Sequence, residues 1–197
     1  MHDYAVFGHD RSAIGRWLGF IAIILSGGIA QFFAWANDLT GIEAFTQATI
    51  TTGVVYFTLH WVFNEWVWKV SLFKIPNLNG TWKFQGKTLD EDGEARYDWD
   101  GIIGIEQNWK SIQIHLKTSN SQSDSYTTTI SKRHGPTGGW LLSYSYRNEP
   151  EVEQIHKLAS HKGFCEIEID NNLQVGKASY FNSKGRRTFG IMDLVKE

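Results

Sequence analysis

From Trp17 to Ala36 the chain reads WLGFIAIILSGGIAQFFAWA, twenty residues without a charge, of which only Ser26 and Gln31 are clearly polar. At about 1.5 Å per residue such a helix is about 30 Å long, the thickness of a bilayer's hydrocarbon core. Arg11 and Arg16 precede it, Asn37 and Asp38 follow it, and Trp17 and Trp35 sit at its ends, where indole rings prefer the interface. This pattern predicts a membrane-spanning helix. A second segment, Ala44 to Trp68, is long enough to span but carries Thr46, Gln47, Thr49, Thr51, Thr52, Thr58 and His60. Thr46, Thr49, Gly53, Tyr56 and His60 recur at helical intervals and share a face. Such a stripe either meets another helix or bonds its hydroxyls back to its own backbone. On the first helix Ala22, Ser26, Ala30 and Ala34 form a run of small residues, with Gly15 and Gly19 on a neighbouring face, a surface suited to close helix packing.

After Ile75-Pro76, where a helix must stop, continuous apolar character gives way to alternation. Turn signals recur at Asp90–Gly93, Asn108–Ser111, Thr118–Asp124, His134–Gly139, Asn148–Lys162, Asp170–Asn172 and Asn182–Gly185. They leave eight predicted strands near 80–89, 95–107, 111–118, 124–133, 140–147, 163–169, 173–182 and 187–195. Short breaks make antiparallel hairpins, and eight such strands without crossover helices predict an eight-stranded antiparallel up-and-down β-barrel, whose closure removes exposed edges. The entry Asn79-Gly80-Thr81-Trp82 resembles the Gly-x-Trp that begins many lipocalin-like barrels. Within the longest break, Val152, Ile155, Leu158 and Ala159 keep helical spacing and predict a short helix over one barrel mouth. The domain reading is an N-terminal segment 1–16, a two-helix transmembrane hairpin 17–75 and a ligand-binding barrel 76–197.

Charge sharpens this division. The 197 residues carry 19 Lys+Arg and 21 Asp+Glu, a net charge of −2, with a mean hydropathy of −0.30. Positions 17–68 hold three acids and no Lys or Arg, whereas the rest of the chain is near balance. Arg11 and Arg16 before the first span, Lys69 and Lys74 after the second, and a base-free connection between them place both termini and the barrel in the cytoplasm. A secretory signal ending at Ala34-Trp35-Ala36 is the competing reading; a long apolar run and a second span only seven residues later argue against it. Near-neutral charge without a basic block argues against a polynucleotide binder. A single cysteine, Cys165, excludes an internal disulfide.

Catalysis finds little support. His156 and His161 with Glu151 and Glu153 come nearest to a metal set and read more simply as a solvated segment; Cys165 alternates with Ile167 and Ile169 and reads as a buried thiol. No catalytic residue, metal or cofactor is expected. Binding has more. Rings that stack on bases, with Arg, Ser, Thr and Asn groups for phosphates and base edges, suit a nucleotide pocket. Candidate ligand-binding residues are Tyr97, Trp99, Tyr126, Thr128, Trp140, Tyr144, Tyr146, Arg147, Tyr180 and Asn182, with Arg186 and Arg187 at a mouth.

The Trp17–Ala36 span, the Thr-rich Ala44–Trp68 span, the Pro76-to-Trp82 entry and eight strands ending near Val195 together resemble the two-transmembrane, β-strand-rich effectors of CBASS, the cyclic-oligonucleotide antiphage signalling of bacteria, in which CD-NTase-associated proteins act. The resemblance covers nearly the whole chain. It implies a non-enzymatic inner-membrane protein whose barrel binds a cyclic dinucleotide made by a partner CD-NTase. It further implies a homo-oligomer on activation, hairpins that disrupt membrane lipid, and cell death. The alternative from the residues themselves is a membrane-tethered barrel that binds a lipid or small apolar metabolite, distinguished by a dry aliphatic interior.

Overall fold

The computed structural model describes residues 1–40, 51–135, 138–154, 156, 159–183 and 187–197. They form two units: Met1–Gly8 with Lys74–Glu197, and His9–Phe73.

The second unit is helical. Helix α1 covers Arg11–Thr40, and the carboxylate of Asp10 caps it by accepting from the Ala13 N–H at 3.0 Å. It is the one described helix long and apolar enough to cross a membrane. Helix α2 covers Thr52–Glu65, with Thr51 as its N-cap. The first part of the predicted second span, including Thr46 and Thr49, lies outside the described residues. The small face of α1 meets α2: Ala22 is fully buried, the Ser26 and Thr52 hydroxyls are 2.9 Å apart, and Gly15 faces the Tyr56 hydroxyl. The Thr58 hydroxyl instead donates to its own helix at Val54 O, 2.9 Å away. Thr52 and Thr58 lie beside the predicted stripe, whose own threonines are outside the described residues; of the stripe, Tyr56 meets the first helix at Gly15.

In the first unit, β1 (His2–Asp3) and β2 (Ala5–Val6) precede the helices, and β3 (Gly80–Leu89), β4 (Ala95–Gln107), β5 (Ser111–Lys117), β6 (Ser121–Lys132), β7 (Trp140–Pro150), β8 (His161–Ile169), β9 (Val175–Ser183) and β10 (Phe189–Lys196) follow them. From β3 to β10 each strand pairs antiparallel with the next, and β10 returns to β3. The eight-stranded antiparallel barrel is therefore closed, and alternate side chains point inward. Trp82, Ile103, Ile112, Ile114, Ile130, Leu142, Ile167 and Ile169 are almost completely buried there.

Several boundaries move, and strands β9 and β10 each start two residues later than predicted. Strand β6 starts at Ser121, because the Thr118 hydroxyl accepts from the Asn120 and Ser121 N–H groups and compresses the polar run into a tight turn. Strands β7 and β8 extend to Pro150 and from His161. Of the helix expected over 150–159, the described residues show one 3-10 turn, Val152–Gln154, with Val152 80% exposed rather than packed over the barrel mouth. Ile155 and Leu158 lie outside the described residues.

The first eight residues join the barrel, an arrangement that no sequence pattern announced. Strands β5 and β6 pair only over His115–Lys117 and Gln122–Asp124 and then part. Strand β1 pairs antiparallel with β5 and β2 parallel with β6, so the N-terminal arm fills the gap. Gln107 locks this end: its side-chain amide donates to the Tyr4 hydroxyl at 3.0 Å and to Pro76 O at 3.1 Å, and its carbonyl accepts from the Leu78 N–H at 2.9 Å. Each polar atom of that buried amide is thereby satisfied.

Candidate functional site

At the opposite end the inner residues change character, and a cavity of about 310 Å³ opens, at the lower end of the roughly 300–1,000 Å³ range of small-molecule sites. Its aromatic wall comes from Tyr97, Trp99, Tyr144, Tyr146 and Tyr180. Its polar groups come from Thr88 on β3, Ser121 and Ser123 on β6, Asn148 on β7, His161 on β8, Asn182 on β9 and Thr188 before β10. Asp98 and Asp100 lie at the rim.

The rings are held in place by glycines facing them across strand pairs. Gly86 opposes Trp99, Gly101 opposes Phe84, Gly163 opposes Tyr146 and Gly190 opposes Tyr180. A Cβ on any of the four would come within 2.9 Å of the opposing ring. Because each glycine leaves its inner surface empty, the ring opposite lies down over it. Phe84, Trp99 and Tyr180 form an edge-to-face series with centroids 5.0 and 5.6 Å apart. Hydrogen bonds fix the phenols: Tyr180 and Thr88 hydroxyls are 2.9 Å apart, and Tyr146 donates to Asn182 Oδ1 at 2.7 Å. Asn182 in turn donates to Thr188 Oγ1 at 2.8 Å, and Asn148 to Ser121 Oγ at 3.1 Å. The Trp99 indole N–H is buried and, among the described residues, has no hydrogen-bond partner, a donor for which a ligand could supply the acceptor.

Six of the ten candidate residues meet at this cavity: Tyr97, Trp99, Tyr144, Tyr146, Tyr180 and Asn182. Tyr126 and Arg147 are on the outer face, in a shallow groove with Lys162, whose ammonium lies 5.6 Å from the Tyr126 ring. Arg147 is flanked by inward Tyr146 and Asn148, so the period of two turns it outward. At Tyr126 a β-bulge between Ser125 and Thr127 resets the alternation: Ser125 and Thr128 both face in, and Tyr126 faces out. Thr128 is buried, its hydroxyl without a hydrogen-bond partner among the described residues, away from the cavity lining. Trp140 pairs with Ile169 at the other end of the barrel, with Lys132 Nζ 5.9 Å from its ring. Arg187 is exposed beside the cavity residue Thr188, and Arg186 lies outside the described residues. Thr88, Ser123 and Asn148 were missed because lone polar residues in alternating strands carry no signal until the inward parity is known; His161, expected in a solvated segment, is instead buried in the cavity wall at the start of β8.

No metal-binding group of His, Cys, Asp and Glu occurs among the described residues. Cys165 lines the cavity but is chemically quiet: burial pushes its thiol up to about 12, against a smaller opposing pull from the Tyr144 hydroxyl. At pH 8 about one such thiol in ten thousand is ionised, so alkylation by iodoacetamide should run roughly a thousandfold slower than for a free cysteine. Labelling of the native chain at the free-thiol rate would contradict this burial.

Comparison with known proteins converges on the same division of the chain. Residues 73–196 match the family described as Cap15, cyclic dinucleotide receptor domain, and residues 12–69 match the one described as Cap15, TM helices. The chain is 36% identical to CD-NTase-associated protein 15 of Yersinia aleksiciae, over 99% of this chain and 97% of that one. It is 27% identical to CD-NTase-associated protein 15 of Staphylococcus schleiferi, over 68% of this chain and 70% of the relative.

Proposed function

We propose, from the premise that this chain belongs to the Cap15 family of CD-NTase-associated proteins, that it is a receptor and effector in one polypeptide and catalyses no reaction. A cyclic dinucleotide made by a CD-NTase enters the open end of the barrel. Binding drives the chains to self-associate, two spanning helices from each copy cluster, and the inner membrane is disrupted with death of the cell. The basic residues flanking the spans, Arg11, Arg16, Lys69 and Lys74, support a topology with both termini and the barrel in the cytoplasm. The Ser26–Thr52 contact and the buried Ala22 support helices built to pack closely.

The observation that carries the receptor reading is the cavity's chemistry within a matched receptor domain. Five aromatic side chains surround it, with amides, hydroxyls and an unmet indole donor between them. Rings supply stacking surfaces for bases, worth about 1–3 kcal/mol each, and amides read base edges. A lipid carrier would need a dry aliphatic cavity, and the lining here is largely polar. Titration of the full chain in detergent micelles with a panel of cyclic dinucleotides is expected to give saturable binding by at least one, weakened in Trp99→Ala. Silence across the panel from a folded chain, with binding of a fatty acid instead, would establish the lipid-binding alternative.

A further inference from the structure

One hairpin of the barrel has an outer face unlike the others. On β9 and β10 the outward apolar side chains Val175, Phe181, Phe189, Ile191 and Val195 are 41–57% exposed. Register sets the outward residues of this hairpin in four rows: Phe181 beside Phe189, Ser179 beside Ile191, Lys177 beside Asp193, and Val175 beside Val195. Elsewhere the outward positions are mainly polar or charged, as in Gln113, His115 and Lys117 on β5; on β8 Glu166 and Glu168 are, while Phe164 adjoins the hairpin with its ring 5.6 Å from Phe181. Exposed apolar rows on both sides of one charged row, on an otherwise mainly polar barrel, mark an interaction surface.

We propose that this ridge is where a second copy of the chain docks, barrel to barrel, about a twofold axis parallel to β9 and β10 and midway between them. The order of the rows points to that occupant. A rotation of this kind lays each β9 residue over its row partner on the other copy's β10. Phe181 then meets Phe189, Val175 meets Val195, and Lys177 meets Asp193 twice, once on each side of the axis. Three of the four rows are complementary to themselves, as an isologous interface demands, and the fourth sets Ser179 against Ile191 with no charge to bury. Turning the copy about an axis across the strands would instead place Ile191 on Asp193 and Ser179 on Lys177, burying charge without compensation. The flanks agree: Glu166 lies on the β8 side and Lys87 on the β3 side, so the rotation carries an acidic flank toward a basic one. A bilayer surface fits less well, because Lys177 and Lys87 are offset by Asp193 and Glu166 and leave no net positive charge for anionic headgroups.

This inference deepens the receptor reading, since it gives ligand-driven self-association a surface. The inward neighbours of Phe181 are Tyr180 and Asn182, both in the cavity wall. A ligand that settles those two side chains acts on the same strand that carries the ridge.

The test uses two single variants of the full chain in lipid nanodiscs, Lys177→Asp and Asp193→Lys. Each alone places like charges across the twofold and cannot form a carboxylate–amine cross-link between these positions, within or between copies. Mixed one to one, each supplies what the other lacks. Zero-length carbodiimide coupling, with and without cyclic dinucleotide, should yield linked peptides joining positions 177 and 193 in the mixture and none in either variant alone. Phe181→Ser in both should lower the yield at least about tenfold. Differently tagged copies that co-purify yet give no such link would overturn the proposal. So would a Phe181→Ser variant that links normally but loses affinity for anionic vesicles, which would assign the ridge to lipid. Ligand titration of the same variants is the separate readout: loss of binding in the unsubstituted chain would undo the receptor reading while leaving the docking face to be judged by the cross-link.

Discussion

Gly163→Ala is expected to empty the site of ligand while leaving the barrel folded. The new methyl group would lie 2.4 Å from the Tyr146 ring and hydroxyl and 2.8 Å from Asn182 Oδ1. Both contacts are with side-chain ends rather than with backbone, so the chain relaxes by swinging Tyr146 inward. That movement breaks the 2.7 Å bond from Tyr146 to Asn182 and puts a phenol into the cavity. Loss of the bond costs about 0.5–1.5 kcal/mol, and an off-rotamer tyrosine adds roughly 0.5–1.5 kcal/mol. Those costs come off the stability of the fold; affinity for a cyclic dinucleotide should fall about 10- to 100-fold because the displaced phenol takes up ligand space, each tenfold being about 1.4 kcal/mol. Isothermal titration of the full chain in detergent measures it, with circular dichroism reporting the fold. The paired variant Gly163→Ala with Tyr146→Ala removes the obstructing ring and should recover part of the lost affinity. Unchanged binding in Gly163→Ala would mean that ligand does not reach this wall.

Trp82→Ala carries the largest expected effect on stability. Trp82 is 1% exposed, its indole N–H donates to Leu78 O at 3.3 Å, and it fills the closed end beneath the cavity. Truncating a buried aromatic of this size costs about 3–5 kcal/mol, a large part of a domain's usual total of about 5–15 kcal/mol. Urea unfolding of the full chain in detergent, followed by circular dichroism of the sheet, should show the midpoint falling accordingly. A loss under about 1 kcal/mol would show that the closed end contributes little to holding the barrel together. Trp82 differs in this from Trp99: the first closes the barrel, the second faces the cavity with its N–H unmet.

Much of this was legible from the chain alone. An uncharged run the length of a bilayer and alternation after Pro76 follow from periodicities of one residue type against another, and periodicity is local. The predicted 80–89 and 95–107 coincide with β3 and β4. Cys165 was correctly read as buried, because its neighbours Ile167 and Ile169 share its parity. The candidate pocket was only partly visible. Tyr144, Tyr146 and Tyr180 alternate in ordinary fashion, whereas Tyr126 depends on a bulge that no residue type announces.

The remaining decisions belong to tertiary structure, for one physical reason. A strand's own sequence sets which residues share a face, but pairing register sets what stands opposite them. Gly163 beneath Tyr146, Gly190 beneath Tyr180 and Gly86 beneath Trp99 join residues between 10 and 17 positions apart, through register alone. Register likewise places Lys177 beside Asp193 and aligns the exposed ridge. The arm of residues 1–8 fills a gap that exists only because β5 and β6 part after three pairs. Sequence determined that this protein has a membrane-length helix and a closed barrel; the closure itself, by fixing register around the ring, decided where the barrel is solid, where it is open, and which rings line the opening.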